Sequence, residues 1–294
     1  MQDPEPQFEA ILNFRDISHY PNQLPDSPSI RPGLFYRSAR PDGATPADRD
    51  RLLHAHGVRT IIDLRTATEH IQQTKKHSSK PVSSSELAPD SAAAKGQPLR
   101  IPGITYRDIN INGSAYSRHL LSQLTWGQFF RVAGNMAVGY RPQAIGILSR
   151  NVMNPRGLCG IALDSLDVCG AEIKQCFEVL SRRESYPVML HCTQGKDRTG
   201  IVTLLVLELL GVPESAIQAD YLRSGVELKP ERVSRLAELA EMGMGEDFAD
   251  VDPELVGRVR EHVDEKYGGF EAYLGRCGVD KAMREKVEDI LLVK

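Results

Sequence analysis

Short apolar runs alternate along the chain with longer segments of helical periodicity. The short runs lie at residues 34–40, 58–65, 104–111 and 188–190, and runs of this length beside turn residues are typical of buried strands. Between the last two, residues 163–183 place Leu166, Ile173, Phe177 and Leu180 on one helical face. Near position 45, Thr45 and Asp48 match a capping box at the start of a helix. This alternation predicts an α/β fold, with a central, mostly parallel sheet flanked by helices.

Two segments depart from the pattern within what we interpret as a single domain, residues 1–294. Residues 72–98 are rich in Ser, Lys, Ala and Pro, and so few large apolar side chains predict a flexible insertion. Residues 114–160 are instead unusually apolar. They contain the only tryptophan, Trp126, with Phe129 and Phe130 at near-helical spacing, and core packing would explain this composition.

Composition narrows the class of protein. The chain has 294 residues of which 41% are hydrophobic, enough for a sizeable core. Its net charge of -3 gives no overall attraction to nucleic acid, so we expect no nucleic-acid partner. No apolar stretch reaches transmembrane length and no secretory signal is recognisable, so we expect a cytoplasmic protein without an integral membrane segment.

The cysteines argue against both a disulfide framework and a zinc site. There are five of them, an odd number, and none forms a C-x-x-C pair. We therefore expect no metal and no cofactor.

Residues 188–200, VMLHCTQGKDRTG, carry the clearest chemical signal. An apolar strand stops at His191, a polar loop follows, and a helix starts near Thr199. Loop amides and the first turn of a helix form an anion site, and Arg198 adds a planar set of donors that matches phosphate oxygens. The same positive groups would stabilise a thiolate at Cys192. An anion site with a thiolate at its floor indicates covalent phosphoryl transfer.

The segment HCTQGKDRTG resembles the Cys-x5-Arg signature of cysteine-dependent tyrosine and dual-specificity phosphatases. More narrowly, it is similar to the atypical bacterial and fungal tyrosine phosphatase family, whose loop reads HCxxGKDRTG. Other segments that resemble this family are NFRD (13–16), DLR (63–65), ADYLRS (219–224) and GGFEAYLGRCGV (268–279). The resemblance implies a tyrosine-phosphatase-like fold and a helical lid at residues 114–160.

The implied function is hydrolysis of phosphomonoesters through a phosphocysteine intermediate, most simply by a protein-tyrosine phosphatase. Its partner would be a phosphorylated protein or a phosphoinositide. Thr193 and Gln194 are uncharged, which favours phosphotyrosine over multiply phosphorylated inositol rings. A phosphoinositide monophosphate phosphatase and a non-catalytic phosphate-binding module are the alternatives.

The resemblance also assigns roles to individual residues. Cys192 is the nucleophile, Arg198 holds the phosphoryl oxygens, and Thr199 assists departure of the thiolate. The general acid is Asp197 as first choice, Asp63 as second and Asp108 as third. The phosphate-binding residues are Cys192, Thr193, Gln194, Gly195, Lys196, Asp197 and Arg198, and the supporting residues are His191, Arg65, Arg15 and Asp220.

Overall fold

The centre of the fold is a five-stranded sheet of order β1-β2-β5-β3-β4. The structure, a computed structural model, describes residues 8–78 and 99–294. The strands are β1 Arg15–Asp16, β2 Phe35–Ser38, β3 Thr60–Asp63, β4 Thr105–Asp108 and β5 Val188–His191. Only β1, at one edge, pairs antiparallel; the other neighbours are parallel. The predicted α/β class with a mostly parallel sheet is confirmed.

Helices make up most of the remaining described chain. Before β5 they are α1 Pro46–Asp50, α2 Ala67–Ser78, α3 Ser114–Ser122, α4 Trp126–Ala137, α5 Arg141–Leu148, α6 Asn154–Val168 and α7 Gly170–Leu180. After β5 they are α8 Asp197–Leu209, α9 Glu214–Glu227, α10 Arg232–Glu241, α11 Leu255–Tyr267, α12 Phe270–Cys277 and α13 Lys281–Leu291. Thr45 and Asp48 form the predicted capping box at the start of α1.

Alternate residues of each strand enter two apolar layers. Met189 and Ile61 pack with Leu52 and Val58 on one face of the sheet. Val188 and Leu190 enter the larger layer on the other face, which α6, α7, α8, α11 and α13 cover. Helix α8 lies within this layer, and residues 199–207 are all buried. Helix α8 is therefore apolar on every side because other parts of the protein enclose it on every side.

The parallel strands end level with one another. Ser38 and Asp63 both pair in register with His191, and Asp108 pairs with Asp63. The chain therefore leaves β2, β5, β3 and β4 at the same edge of the sheet, the edge at which ligands bind in open α/β proteins.

Three expectations about the helices need revision. Residues 163–183 form two helices with a break at Cys169, although the four residues predicted to share a buried face are all buried. Residues 72–78 continue α2, whereas 79–98 lie outside the described residues. The segment 114–160 is largely helical, but its apolar residues are not all core: the side chain of Trp126 is 78% exposed.

No helix within residues 8–78 and 99–294 combines the length and the apolarity needed to cross a membrane.

Candidate active site

Cys192 lies at the edge where the parallel strands end. It follows β5 directly and is only 2% exposed. After residues 193–196, α8 begins at Asp197, and the amides of its first turn have no acceptor within the helix. A buried sulfur thus lies between the end of a strand and the positive end of a helix, as the sequence predicts.

Three successive carbonyl groups of the loop are held from outside. Arg40 donates its backbone N–H to the Thr193 oxygen (3.1 Å). Asn13 Nδ2 donates to the Gln194 oxygen (2.9 Å) and Arg37 Nη2 to the Gly195 oxygen (2.7 Å).

The direction of these carbonyls fixes the direction of the loop amides. In a trans peptide the C=O and the next N–H point to opposite sides. The N–H groups of residues 194, 195 and 196 therefore point away from these outer partners, and successive amides arranged in this way form an anion-binding concavity. The loop is a ready-formed anion site.

Gly195 lets the loop lie this close to β2. Its φ is +67°, in the left-handed region, and a Cβ atom built on it would lie 2.0 Å from the Ser38 carbonyl oxygen. Real Cβ contacts almost never fall below 3.0 Å. Only glycine fits at position 195, because any other residue would be strained by the left-handed backbone and its Cβ atom would clash with the end of β2.

Glu69, in α2, holds the guanidinium group of Arg198. Arg198 Nη1 donates to Glu69 Oε2 (2.8 Å) and Nη2 to Oε1 (2.5 Å), and the Thr193 hydroxyl also donates to Oε1 (2.5 Å). Burial alone would raise the pKa of Glu69, but the charge of Arg198 lowers it well below its usual range. Burial lowers the pKa of Arg198, and Glu69 more than offsets this and raises it. Both groups are therefore charged, and the fork of Arg198 is fixed in orientation.

Sequence reasoning did not identify Glu69, although a local signal was present. Thr66 and Glu69 have the T-x-x-E spacing of a capping box immediately after β3, and Glu69 Oε2 accepts from the Thr66 amide (2.9 Å). When a helix starts close to the end of an active-site strand, the carboxylate at the third position of that helix is a candidate partner for the arginine of the loop.

Asp220 joins two buried arginines behind the loop. Arg15 Nε donates to Asp220 Oδ1 (2.7 Å), and Arg37 Nη1 donates to Oδ2. Burial lowers the pKa of Arg37 to about 10, while the two arginines lower that of Asp220 against the opposing effect of burial. Because Arg37 also donates to the Gly195 carbonyl oxygen, Arg15 and Asp220 contact the loop through Arg37.

Lys196 has a different environment from the one expected for a phosphate ligand. Its side chain is fully buried, and Nζ donates to the carbonyl oxygens of Phe248 (3.0 Å) and Asp250 (2.6 Å). These two bonds tie the loop to the segment between α10 and α11. Of the two loop cations, Arg198 is therefore the one we assign to substrate oxygens.

The three candidates for the general acid differ in their partners. Asp197, the first residue of α8, is 40% exposed and lies 3.5 Å from Lys196 Nζ. Asp63 is buried and bonded to Arg65; burial alone would raise its pKa, but His191 and Arg65 lower it. Asp108 is half exposed and pairs with Arg100 (2.5 Å). A carboxyl whose pKa is held low by a buried arginine has already lost its proton near neutral pH and has none to donate, which favours Asp197 over Asp63.

His191 precedes Cys192 directly, and Thr199 lies in the first turn of α8. Both are fully buried. His191 Nδ1 donates to the Cys192 carbonyl oxygen (3.1 Å), and burial lowers the pKa of this imidazole. Within the described chain, Thr199 Oγ1 has no hydrogen-bond partner. That hydroxyl therefore keeps its hydrogen-bond donor unused.

One group of side chains could in principle hold a cation. Ligand atoms of Asp63, His70 and Asp108 all lie within 4.8 Å of one another. Asp63 already accepts two hydrogen bonds from Arg65 Nε and one from Nη2, and Arg65 also pairs with Asp42. A positive guanidinium group at this position opposes a second cation, so we assign the Asp63 carboxylate to Arg65.

Fold and loop together define an α/β protein in which a buried cysteine lies between the end of a parallel strand and the start of a helix, beside loop amides arranged for anion binding. Residues 6–293 match the tyrosine phosphatase family, and the chain belongs to this family, which confirms the family predicted from the loop.

Two relatives differ in how much of the chain they cover. The chain is 33% identical over 122 residues to the triple specificity protein phosphatase PtpB of Mycobacterium tuberculosis, an alignment covering 36% of this chain and 44% of that protein. It is 28% identical over 262 residues to a tyrosine-protein phosphatase of Nostoc commune, covering 86% of this chain and 72% of the relative. The first alignment thus spans less than half of the mycobacterial protein.

Proposed function

We propose that the protein hydrolyses phosphomonoesters in two steps through a phosphocysteine intermediate, with phosphotyrosine as substrate. The observation that carries this proposal is the set of loop carbonyls fixed outward around Cys192. It leaves an array of amides that needs no rearrangement when a phosphoryl group binds, and preorganised donors of this kind contribute strongly to catalysis.

In the first step the Cys192 thiolate attacks phosphorus. A P–S bond forms as the P–O bond to the leaving group breaks, and the leaving oxygen takes a proton from Asp197. Arg198 and the loop amides bind the three non-bridging oxygens, where negative charge is spread in the transition state.

In the second step water attacks the phosphocysteine. A new P–O bond forms, the P–S bond breaks, and Asp197 takes a proton from the water, so inorganic phosphate and the thiolate are released. Thr199 donates a hydrogen bond to the departing sulfur, for which its unpartnered hydroxyl is suited. The residues named supply both the positive charge and the proton that the two steps require.

The test is phosphate release from a phosphotyrosine peptide and from a soluble phosphatidylinositol 3-phosphate, with the Cys192→Ser variant as blank. We expect turnover of the peptide by the parent and none by the variant. A higher kcat/KM for the inositol lipid would instead assign the site to phosphoinositides. Binding of phosphate without turnover of either substrate would support the non-catalytic module.

The role of Asp197 has a separate test, Asp197→Asn, which keeps the size of the side chain and removes its proton. General acid catalysis contributes roughly 10²- to 10⁴-fold, so kcat should fall by that order for a poor leaving group and much less for an activated one. Equal losses for both leaving groups would show that Asp197 acts on structure and not on the leaving oxygen.

The structure of the loop supports the phosphoinositide alternative less than its sequence does. The argument for this alternative from the loop rests on the lysine of GKDR, and Lys196 Nζ is bound by two carbonyl groups.

A further inference from the structure

Helix α4 has an apolar face on both sides. Toward the protein, Val132 packs against Ala144 and Ile147 of α5. On the opposite side Trp126, Phe130, Ala133 and Ala137 are exposed, and positions at this spacing lie along one face of a helix. The side chains of Trp126 and Phe130 are 78% and 64% exposed. Burial in the chain's own core does not explain this second face.

The exposed apolar surface continues through the last turn of α4 and beyond its end. Met136, Val138 and Tyr140 are 48%, 66% and 58% exposed. Of the nine large hydrophobic side chains exposed in the described residues, five fall within residues 126–140. We call this group, with Ala133 and Ala137, the α4 face. A patch of this kind marks a binding surface.

The charged residues of the segment that carries the α4 face are all of one sign. Residues 109–163 contain five arginines and neither aspartate nor glutamate, in a chain whose net charge is -3. Arg118, Arg131 and Arg150 are exposed, and none of the three forms an ion pair with a described residue. The α4 face is therefore apolar and belongs to a positively charged segment. It is complementary to a surface that has an apolar interior and a negatively charged boundary.

We propose that the α4 face docks on anionic lipid bilayers, with α4 parallel to the membrane plane. Aromatic side chains such as Trp126 and Tyr140 favour the boundary between acyl chains and headgroups, and flanking arginines bind acidic headgroups while their stems cover apolar surface. With 12 residues, α4 suits a position in the interface. Pairing of two copies through this face would bring like charges together without an acidic residue from the segment to offset them.

This inference is independent of the proposed chemistry, and binding can be measured without turnover. It would bring the protein to a surface where phosphorylated lipids are concentrated. If docking fails, the assay on soluble substrates still decides the proposed function; if turnover fails, docking can still be observed.

The experiment uses full-length Cys192→Ser protein and vesicles of phosphatidylcholine with or without phosphatidylserine. Trp126 is the only tryptophan, so its emission reports on the α4 face directly. We expect cosedimentation with the anionic vesicles, a blue shift of emission, and quenching by lipids brominated in the acyl chains. Binding should weaken with added salt because headgroup attraction is screened.

Variants separate the apolar and charged contributions. Trp126→Ala with Phe130→Ala should lower partitioning to anionic vesicles by about tenfold or more because two buried side chains are lost. Arg131→Glu should lower it by about fivefold or more. The matched controls are Val233→Ala, an exposed residue (83%) of α10, and Lys286→Glu, an exposed residue of α13; neither should change partitioning.

Several results would overturn the proposal. Absence of binding to anionic vesicles would do so, as would binding that the Trp126 and Phe130 changes leave intact. A blue shift that develops with protein concentration alone would assign the α4 face to a second copy of the chain. A blue shift on adding inorganic phosphate without vesicles would assign it to closure over the active site.

Discussion

Replacing Gly195 by alanine tests the geometry of the phosphate loop most directly. The added Cβ would lie 2.0 Å from the Ser38 oxygen, 2.3 Å from the Ser38 carbonyl carbon and 2.7 Å from the Ala39 nitrogen. All three are backbone atoms at the end of β2, so no side chain can rotate away. To reach the 3.0 Å that real Cβ atoms require, the loop must retreat by about 1 Å.

A retreat of this size affects activity more than folding. A misplacement of about 1 Å in an active site can lower the rate roughly 10²-fold, so kcat/KM for a phosphotyrosine peptide should fall by at least that factor. The left-handed backbone adds a further penalty of about 1–2 kcal/mol in stability.

Gly211→Ala is the matched control for the backbone penalty. Its φ is +73° and nothing lies within 4 Å of the built Cβ, so it incurs the strain without the clash. It should lose a similar amount of stability in urea unfolding and keep its kcat/KM. If Gly195→Ala retained kcat/KM within a factor of about three, the ready-formed loop would not be what determines the rate.

Three further substitutions test the partners of the loop. Glu69→Gln should lower kcat/KM by about 10- to 100-fold because Arg198 loses its fixed orientation. Since folding lowers the pKa of Glu69, its stabilising effect is present above the ordinary glutamate pKa and is lost as pH falls through the lowered one. The variant should therefore lose less stability on acidification than the parent, and parallel stability curves would contradict this. Asp220→Asn should lower the free energy of unfolding by about 3–5 kcal/mol because it leaves buried guanidinium charge unpaired, whereas Asp250→Asn, in an exposed pair, should change it little. Lys196→Met should lower thermal stability and leave KM unchanged; a raised KM would return this lysine to substrate binding.

The strands and the loop could be predicted from the sequence because local patterns determine them. An apolar run next to HCTQGKDRTG indicates strand, turn and helix start within 13 residues, and the structure places β5, the loop and α8 there. The Thr45 to Asp48 capping box is equally local, since its two bonds join residues three apart.

The partners of the loop could not be predicted in the same way because they are distant in sequence. Glu69 and Arg198 are 129 residues apart, and Asn13 and Gln194 are 181 apart. The sequence predicts that Lys196 is a phosphate ligand. Its carbonyl partners become visible only in the structure, which places residues 248–250 next to its Nζ atom.

The periodicity of a helix shows which residues share a face but not whether that face is covered. Leu166 and Phe177 are apolar and buried, whereas Trp126 and Phe130 are apolar and exposed. The pattern in sequence is alike in the two cases. Core packing was therefore the wrong interpretation for the outer face of α4.

The enclosure of α8 has a consequence for how the protein loses activity. Amide hydrogens in a helix buried on every side exchange with solvent only when the whole domain opens. Residues 199–207 should therefore be among the slowest to exchange deuterium, and the phosphate loop is attached to this most persistent unit. Loss of activity in denaturant should follow the global unfolding curve, with no inactive folded state preceding it.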